Sequence, residues 1–232
     1  MNTLTNPITE EETETPFVIT ISRQLGSAGR QIGRMLAQEY DIAYYDKDSL
    51  ATAAQNTGLG HNVFDRNDKR KGFMRHVIGV VQPFIGGGDF YASQLSDENL
   101  FKLQCGVIQK VASERSCVFV GRAADDILRN HPRKVSLYIC ANMADRIRRV
   151  IDMQKIDYRN AIHAIEESDE QRSGYYNFHA SGTWGSADAY DLCINVSALG
   201  IDQSIELIKQ FLNMKLGISL KKQPTEITPE LF

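Results

Sequence analysis

Between the apolar, β-branched run Phe17-Val-Ile-Thr-Ile-Ser22 and a helical pattern from Arg30 to Tyr40 lies Ser22-Arg-Gln-Leu-Gly-Ser-Ala-Gly-Arg-Gln31. The small residues Gly26, Ser27, Ala28 and Gly29 let the backbone curl so that successive amides point inward, and the helix start adds its positive dipole end. Such a turn holds phosphate oxygens. In the usual pattern, Gly-x4-Gly-Lys-Ser/Thr, the lysine reaches the transferred phosphate and the hydroxyl holds Mg2+. One register here sets Gln24 and Gly29 at the two glycines, Arg30 at the lysine and Gln31 at the hydroxyl. The other sets Gly29 at the lysine and Arg30 at the hydroxyl. Both lack the lysine and the hydroxyl ligand. Arg30 brings positive charge and a planar fork in place of a point charge. Ser27 is the nearby hydroxyl that remains for Mg2+, and Arg23 fits either a phosphate contact or an exposed loop arginine. Taken alone, the turn suits phosphate binding or an ordinary strand-turn-helix.

A second concentration of charge is Asp145-Arg-Ile-Arg-Arg149. A phosphoryl group in flight spreads negative charge over its oxygens, so its catalysis is mostly positioning and cationic stabilisation. Residues i and i+3 share a helix face, which aims Arg146 and Arg149 at one target and Arg148 elsewhere. The competing reading is a solvated basic face partnered by Asp145 and Asp152. Arg122 directly follows a strand and Gly121, on the edge where ligands bind in parallel sheets. Asp46 follows a strand in the same way and fits a ligand contact or a helix N-cap. Arg172 follows Glu166, Glu167, Asp169 and Glu170 and fits a ligand contact or a surface ion pair. Trp184, Tyr175 and Tyr176 fit base stacking or the anchoring of a loop on the core. The five histidines show no metal-ligand spacing.

The elements that must carry these residues alternate. Strands are expected over 17–22, 42–45, 117–120, 135–140 and 192–196. Helical spacing covers 30–40, 100–111, 123–129, 143–153, 158–167 and 201–216. This order implies a parallel sheet with helices on both faces and ligands outside the carboxyl ends of its strands. The rhythm breaks over 56–97, where Gly86-Gly-Gly88 and the basic cluster Arg66, Lys69, Arg70, Lys71 and Arg75 suggest an insert that covers substrate or a surface excursion. Residues 1–16 read as a flexible acidic arm, 17–216 as the ordered body and 217–232 as a loose tail.

Composition bounds the possibilities. The 232 residues, 42% hydrophobic and 24% charged, suit one soluble domain with a sizeable core. A net charge of −3 excludes a globally basic nucleic-acid binder. No apolar run approaches the ~20 residues of a membrane span. The acidic start resembles no secretory or transit peptide, and a cytoplasmic protein is expected. Cys105, Cys117, Cys140 and Cys193 stand among apolar residues without CxxC spacing, so buried reduced thiols are expected. A homo-oligomer is left open.

Five stretches in order carry a resemblance: Ile19 to Arg30, Tyr44-Tyr-Asp-Lys47, Val118-Phe-Val-Gly-Arg-Ala-Ala-Asp-Asp-Ile-Leu128, Lys134 to Arg149, and Glu167-Ser-Asp-Glu-Gln-Arg172 with Tyr190 to Ser197. Over residues 17 to 216 the chain resembles the cytidylate kinase-like family, a divergent branch of the P-loop nucleoside monophosphate kinases. The resemblance implies an α/β fold with a five-stranded parallel sheet, ATP as phosphoryl donor, Mg2+ and a nucleoside monophosphate acceptor. It also implies a lid within 143–185 and an acceptor side at 56–97. On that resemblance Arg23, Gly26 to Gln31 and Arg146 would hold the nucleotide, and Arg30, Arg148 and Arg149 would serve catalysis. Asp46, Arg122, Asp125, Asp169 and Arg172 would hold the acceptor. The chain departs from the family pattern where Ala123 takes an aspartate's place and where Ile165 and Thr52 take those of arginines.

Overall fold

The computed structural model describes residues 15–50 and 97–218. The acidic arm up to residue 14, the insert up to residue 96 with its basic cluster and Thr52, and the tail from residue 219 lie outside the described residues. Five parallel strands form one sheet: β1 (Val18–Arg23), β2 (Ala43–Tyr45), β3 (Cys117–Val120), β4 (Lys134–Cys140) and β5 (Leu192–Asn195), in the order β2-β3-β1-β4-β5. Central β1 runs in register with β3 from Val18 opposite Cys117 and with β4 from Val18 opposite Lys134. The helices are α1 (Gly29–Glu39), α2 (Asp97–Glu114), α3 (Ala124–Ile127), α4 (Met143–Gln154), α5 (Tyr158–His179) and α6 (Val196–Leu216).

Alternation along the strands builds two cores. Ile19 and Ile21 face one side with Val118, Val120, Leu137 and Ile139, where α1 contributes Ile32 and Leu36 and α6 contributes Ile205, Ile208 and Leu212. Val18, Cys117 and Phe119 face the other side, against Val107, Ile108 and Val111 of α2 and Leu128 after α3. Each Leu or Ile fully removed from water contributes ~1.5–3 kcal/mol. Together these two layers hold the carboxyl ends of β1, β3 and β4 side by side. A third layer packs Ile147 and Val150 of α4 against Ala161 and Ile165 of α5, forming a helical arm above those ends.

The main departure from the sequence reading is the length of α5. Expected to end at Glu167, it continues to His179. Its inward face is spaced as a helix throughout (Ala161, Ile165, Asp169, Arg172, Tyr176), but changes from apolar to charged after Ile165, so hydrophobic periodicity stops where the helix does not. Near the other end, α6 begins at Val196 and is interrupted at Gly200 (φ 78°), just before the expected start at 201. The cysteines also divide. Cys117 is buried, and burial pushes its thiol up to about 12, whereas Cys193 on edge strand β5 is exposed, contrary to expectation. All four are free thiols. Among the described residues no helix is long and apolar enough to cross a membrane.

Candidate functional site

The turn leaving β1 is shaped by two left-handed residues, Gly26 (φ 78°) and Ala28 (φ 67°). A side chain at 26 is barred twice over, because its Cβ would also lie 2.7 Å from the Arg146 carbonyl oxygen. Helix α1 then opens at Gly29 with neither a side-chain cap nor an acidic residue in its first turn. Its first amides have no intrahelical acceptor and remain available to an anion.

Three arginines from the helical arm hold this turn from outside. Arg146 Nε donates to the Leu25 carbonyl at 2.8 Å, Arg149 Nη1 to the Gly26 carbonyl at 3.0 Å and Arg172 Nη1 to the Arg23 carbonyl at 3.3 Å. In a planar peptide the carbonyl of one residue points opposite to the N–H of the next. Drawing the carbonyls of Leu25 and Gly26 toward the arm therefore turns the amides of Gly26 and Ser27 away from it. Asp169 completes the clamp. Its carboxylate accepts from the Leu25 N–H at 2.8 Å, pairs closely with Arg146 and lies 3.4 Å from Arg172. Arg146 is almost wholly buried there, its side chain 5% exposed.

A cavity of ≈ 320 Å³ opens beside the turn, at the ends of β1 and β3. Arg23, Arg30, Lys47, Arg122 and Arg172 line it, together with Ser22, Tyr175, Tyr176 and Trp184, and among the described residues no carboxylate does. The Arg122 guanidinium stacks on the Tyr175 ring, 5.3 Å from its centre, and Gln104 Nε2 ties the Arg122 carbonyl (3.2 Å) to the Tyr175 hydroxyl (2.8 Å). Gly121, Arg122 and Ala123 are all left-handed, with φ of 83°, 66° and 52°. For the two non-glycine residues this costs on the order of 1–3 kcal/mol each, strain of the kind that collects at ligand sites. Trp184 packs at right angles to Tyr138 (5.4 Å between centres), as loop anchoring on the core requires, and also lines the cavity.

The expected site residues thus fall into three sets. Arg23, Arg30, Arg122 and Arg172 converge on the cavity. Gly26 to Gly29, with Arg146, Arg149 and Asp169, make up the turn and its clamp. The rest point elsewhere. Arg148 is 73% exposed and pairs with Asp145 at 3.4 Å, as the i, i+3 spacing implies. Gln31 is exposed and reaches only the Met35 sulfur. Asp125 lies beneath the cavity, accepting from the Tyr176 hydroxyl at 2.5 Å; burial raises its pKa, and the Tyr176 bond opposes that.

Asp46 caps the helical turn over 47–50, accepting from the N–H groups of Asp48 and Ser49 at 3.2 Å. It also faces Arg30 (3.7 Å) and Arg34 (3.8 Å). Burial alone would raise its pKa, but the hydrogen bonds from Ser49 and the charge of Arg30 hold it below the usual carboxylate value. Ser27 is fully buried, and its hydroxyl donates to the Gln24 carbonyl at 2.9 Å, away from the cavity. Among the described residues no group of three His, Cys, Asp or Glu side chains could hold a metal ion. Sequence reading did not single out Lys47 and Gln104. Their signals were a lysine directly after Asp46 and a glutamine on the α2 face that also carries Val107, Ile108 and Val111.

A glycine turn leading from a central parallel strand into a helix, below an arginine-bearing helical arm, is the arrangement of the P-loop kinase fold. The chain belongs to the cytidylate kinase-like family, whose model matches residues 18–198. It is similar to the crystal structure of an uncharacterized protein from Eubacterium ventriosum, at 24% identity and a TM-score of 0.65 over 85% of this chain and 98% of that one. It is also similar to shikimate kinase from Bacteroides thetaiotaomicron, at 11% identity and 0.48 over 85% and 98%. A gluconokinase from Sinorhizobium meliloti matches at 11% identity and 0.46 over 88% and 95%. No curated protein matches the chain.

Proposed function

We propose that the protein is a phosphotransferase that moves the γ-phosphoryl group of ATP to a nucleoside monophosphate of the CMP or dCMP kind, or to a related small phosphorylated acceptor, in the cytoplasm. The observation that carries this reading is the cavity that, among the described residues, is lined by five cations and no carboxylate, beside the uncapped start of α1. Two polyanions brought together there would meet little repulsion from the protein and strong stabilisation of charge developing between them. The turn from Gly26 to Gly29 would cradle the donor phosphates, and Arg30, Arg122, Arg172 and Lys47 would hold the acceptor. Arg146, Arg149 and Asp169 would act on the nucleotide through the turn they hold. Mg2+ would arrive with ATP and be held by phosphate oxygens and water, as is common for this ion.

A second reading, a nucleotide-binding sensor without turnover, rests on the pair Arg30 and Gln31, or in the other register Gly29 and Arg30, standing where the usual pattern has its lysine and hydroxyl. Thermal shift with ATP, GTP, CMP, dCMP and UMP, with and without Mg2+, followed by an assay for ADP release, separates the two. We expect ATP and one monophosphate each to raise the melting temperature and the pair to yield ADP. Stabilisation by ATP with no ADP from any acceptor favours the sensor, and no stabilisation by any nucleotide defeats both readings.

A further inference from the structure

We propose that Arg23, at the end of β1, is the cation that grips the transferred phosphoryl group, doing from the strand what a lysine on the following helix does in the usual pattern. The inference rests on the phosphotransferase reading above and departs from the expectation that Arg30 takes this part.

Two glycines define the slot. At Gly29, the first residue of α1, an added Cβ would lie 2.6 Å from Arg23 Cβ and 3.1 Å from its Cγ, so the stem of Arg23 fills the space that a side chain at 29 would need. At Gly121, an added Cβ would fall on Arg23 Nη1. The Arg23 side chain therefore runs from the β1 end, across the start of α1, to the end of β3, with its head in the cavity. Arg30 sits farther out, 49% exposed and facing Asp46.

The electrostatics of the slot call for an anion. Arg172 has Asp169, Arg30 has Asp46 and Arg122 has the Tyr175 ring. Among the described residues Arg23 has no carboxylate partner. Burial, then the charges of Arg172, Arg30 and Arg122, pull its pKa from 12.5 down to about 9, with only Tyr44 pulling the other way. It stays protonated at neutral pH at a cost to the fold, and a phosphoryl group in the cavity would relieve that cost. Its planar fork can donate to two phosphoryl oxygens at once. In transfer, the bond from the γ-phosphorus to the β–γ bridging oxygen breaks and leaves its electron pair on ADP. An anionic oxygen of the acceptor phosphate supplies the pair for the new bond. Arg23 exchanges no proton and neutralises charge throughout.

The test compares Arg23→Met, Arg30→Met and the transplant Arg23→Gly with Gly29→Lys by thermal melting, ATP and pyrophosphate affinity, and turnover. Arg23→Met is expected to melt a few degrees above the wild type, because it removes a crowded charge, yet to bind pyrophosphate at least tenfold more weakly and to lose about 10²-fold or more in kcat. Arg30→Met, at a cation on the acceptor side, is expected to weaken pyrophosphate less than tenfold and to act instead on the acceptor KM, and the transplant to recover at least tenfold over Arg23→Met. The proposal is overturned if Arg23→Met keeps its pyrophosphate affinity within threefold of wild type, whether or not the chain turns over. Wild-type protein that binds pyrophosphate through Arg23 but never releases ADP would instead sink the phosphotransferase reading and leave the grip in place.

Discussion

Arginines meet this site from two directions, and their surroundings differ in kind. Those of the helical arm, Arg146, Arg149 and Arg172, each donate to a backbone carbonyl of the turn, and Asp169 balances two of them. Those that open on the cavity, Arg23, Arg30 and Arg122, crowd one another around a space that no carboxylate among the described residues lines, and of the three Arg30 alone faces a described carboxylate, Asp46, outside it. Arg172 belongs to both groups. The contrast separates two uses of one side chain. A guanidinium whose donors are spent on the fold shapes a phosphate site from behind, whereas one left facing like charges is held ready for an anion that the protein does not supply.

That division is most exposed at Asp169. Asp169→Ala removes the acceptor of the Leu25 amide and leaves the buried Arg146 charge uncompensated. Breaking one side of such a pair costs about 3–5 kcal/mol, readable as a lower urea midpoint at unchanged m-value. Nucleotide affinity should fall with it, since the turn loses the anchor that orients its amides. If instead Asp169→Ala leaves stability within about 1 kcal/mol of wild type, a result in the ordinary range for surface changes, the clamp does not hold the turn.

The cavity group should respond to pH, where the clamp should not. The Arg23 pKa in the folded protein is lowered to about 9, and a bound polyanion favours the charged guanidinium and raises it again. Binding then takes up a proton only above about pH 9. Affinity for ATP, which carries the group Arg23 grips and whose phosphates are fully ionised above neutral pH, should accordingly be flat between about pH 7.5 and 8.5 and weaken as pH rises through 9. Titration calorimetry on the wild type and Arg23→Met checks this. The fall above pH 9 should shrink in the variant, and an identical fall in both would assign it to Lys47 or another neighbour.

Much of the fold could be read from the chain because its cues are local. The β-branched runs become β1 and β3, the glycine turn becomes the turn before α1, and the i, i+3 spacing correctly set Arg146 and Arg149 apart from Arg148. What escaped reading depends on distant pieces. The second half of α5 was missed because Asp169 and Arg172 stand on its inward face, and a charged inward face looks like solvent exposure until its partners at Leu25 and Arg146 are known. Arg23 ranked below Arg30 because only the latter aligns with a lysine. Its claim depends on what Gly29 and Gly121 leave out, and Gly121 lies almost a hundred residues away. Asp125, two places after the aspartate position of the family pattern, turns under the cavity to Tyr176, because the left-handed backbone at Arg122 and Ala123 redirects the chain.

The smallest effect belongs to the arginine that joins neither group. Arg148 shares the segment, the charge and the helix of Arg146 and Arg149, so a count of basic residues treats the three alike. Its side chain is 73% exposed, and its partner is Asp145, one turn back on the same helix. Exposed pairs of this kind contribute at most about 0.5 kcal/mol, because water screens the attraction and two long side chains must be ordered to make it. Arg148→Ala should therefore leave the urea midpoint, the nucleotide affinity and kcat near wild-type values. A loss of kcat beyond tenfold at unchanged stability would mean that Arg148 leaves Asp145 and swings onto the phosphoryl group when substrates are bound. The arm would then have to move during the reaction, and the line between clamp and cavity would hold only for the protein without its substrates.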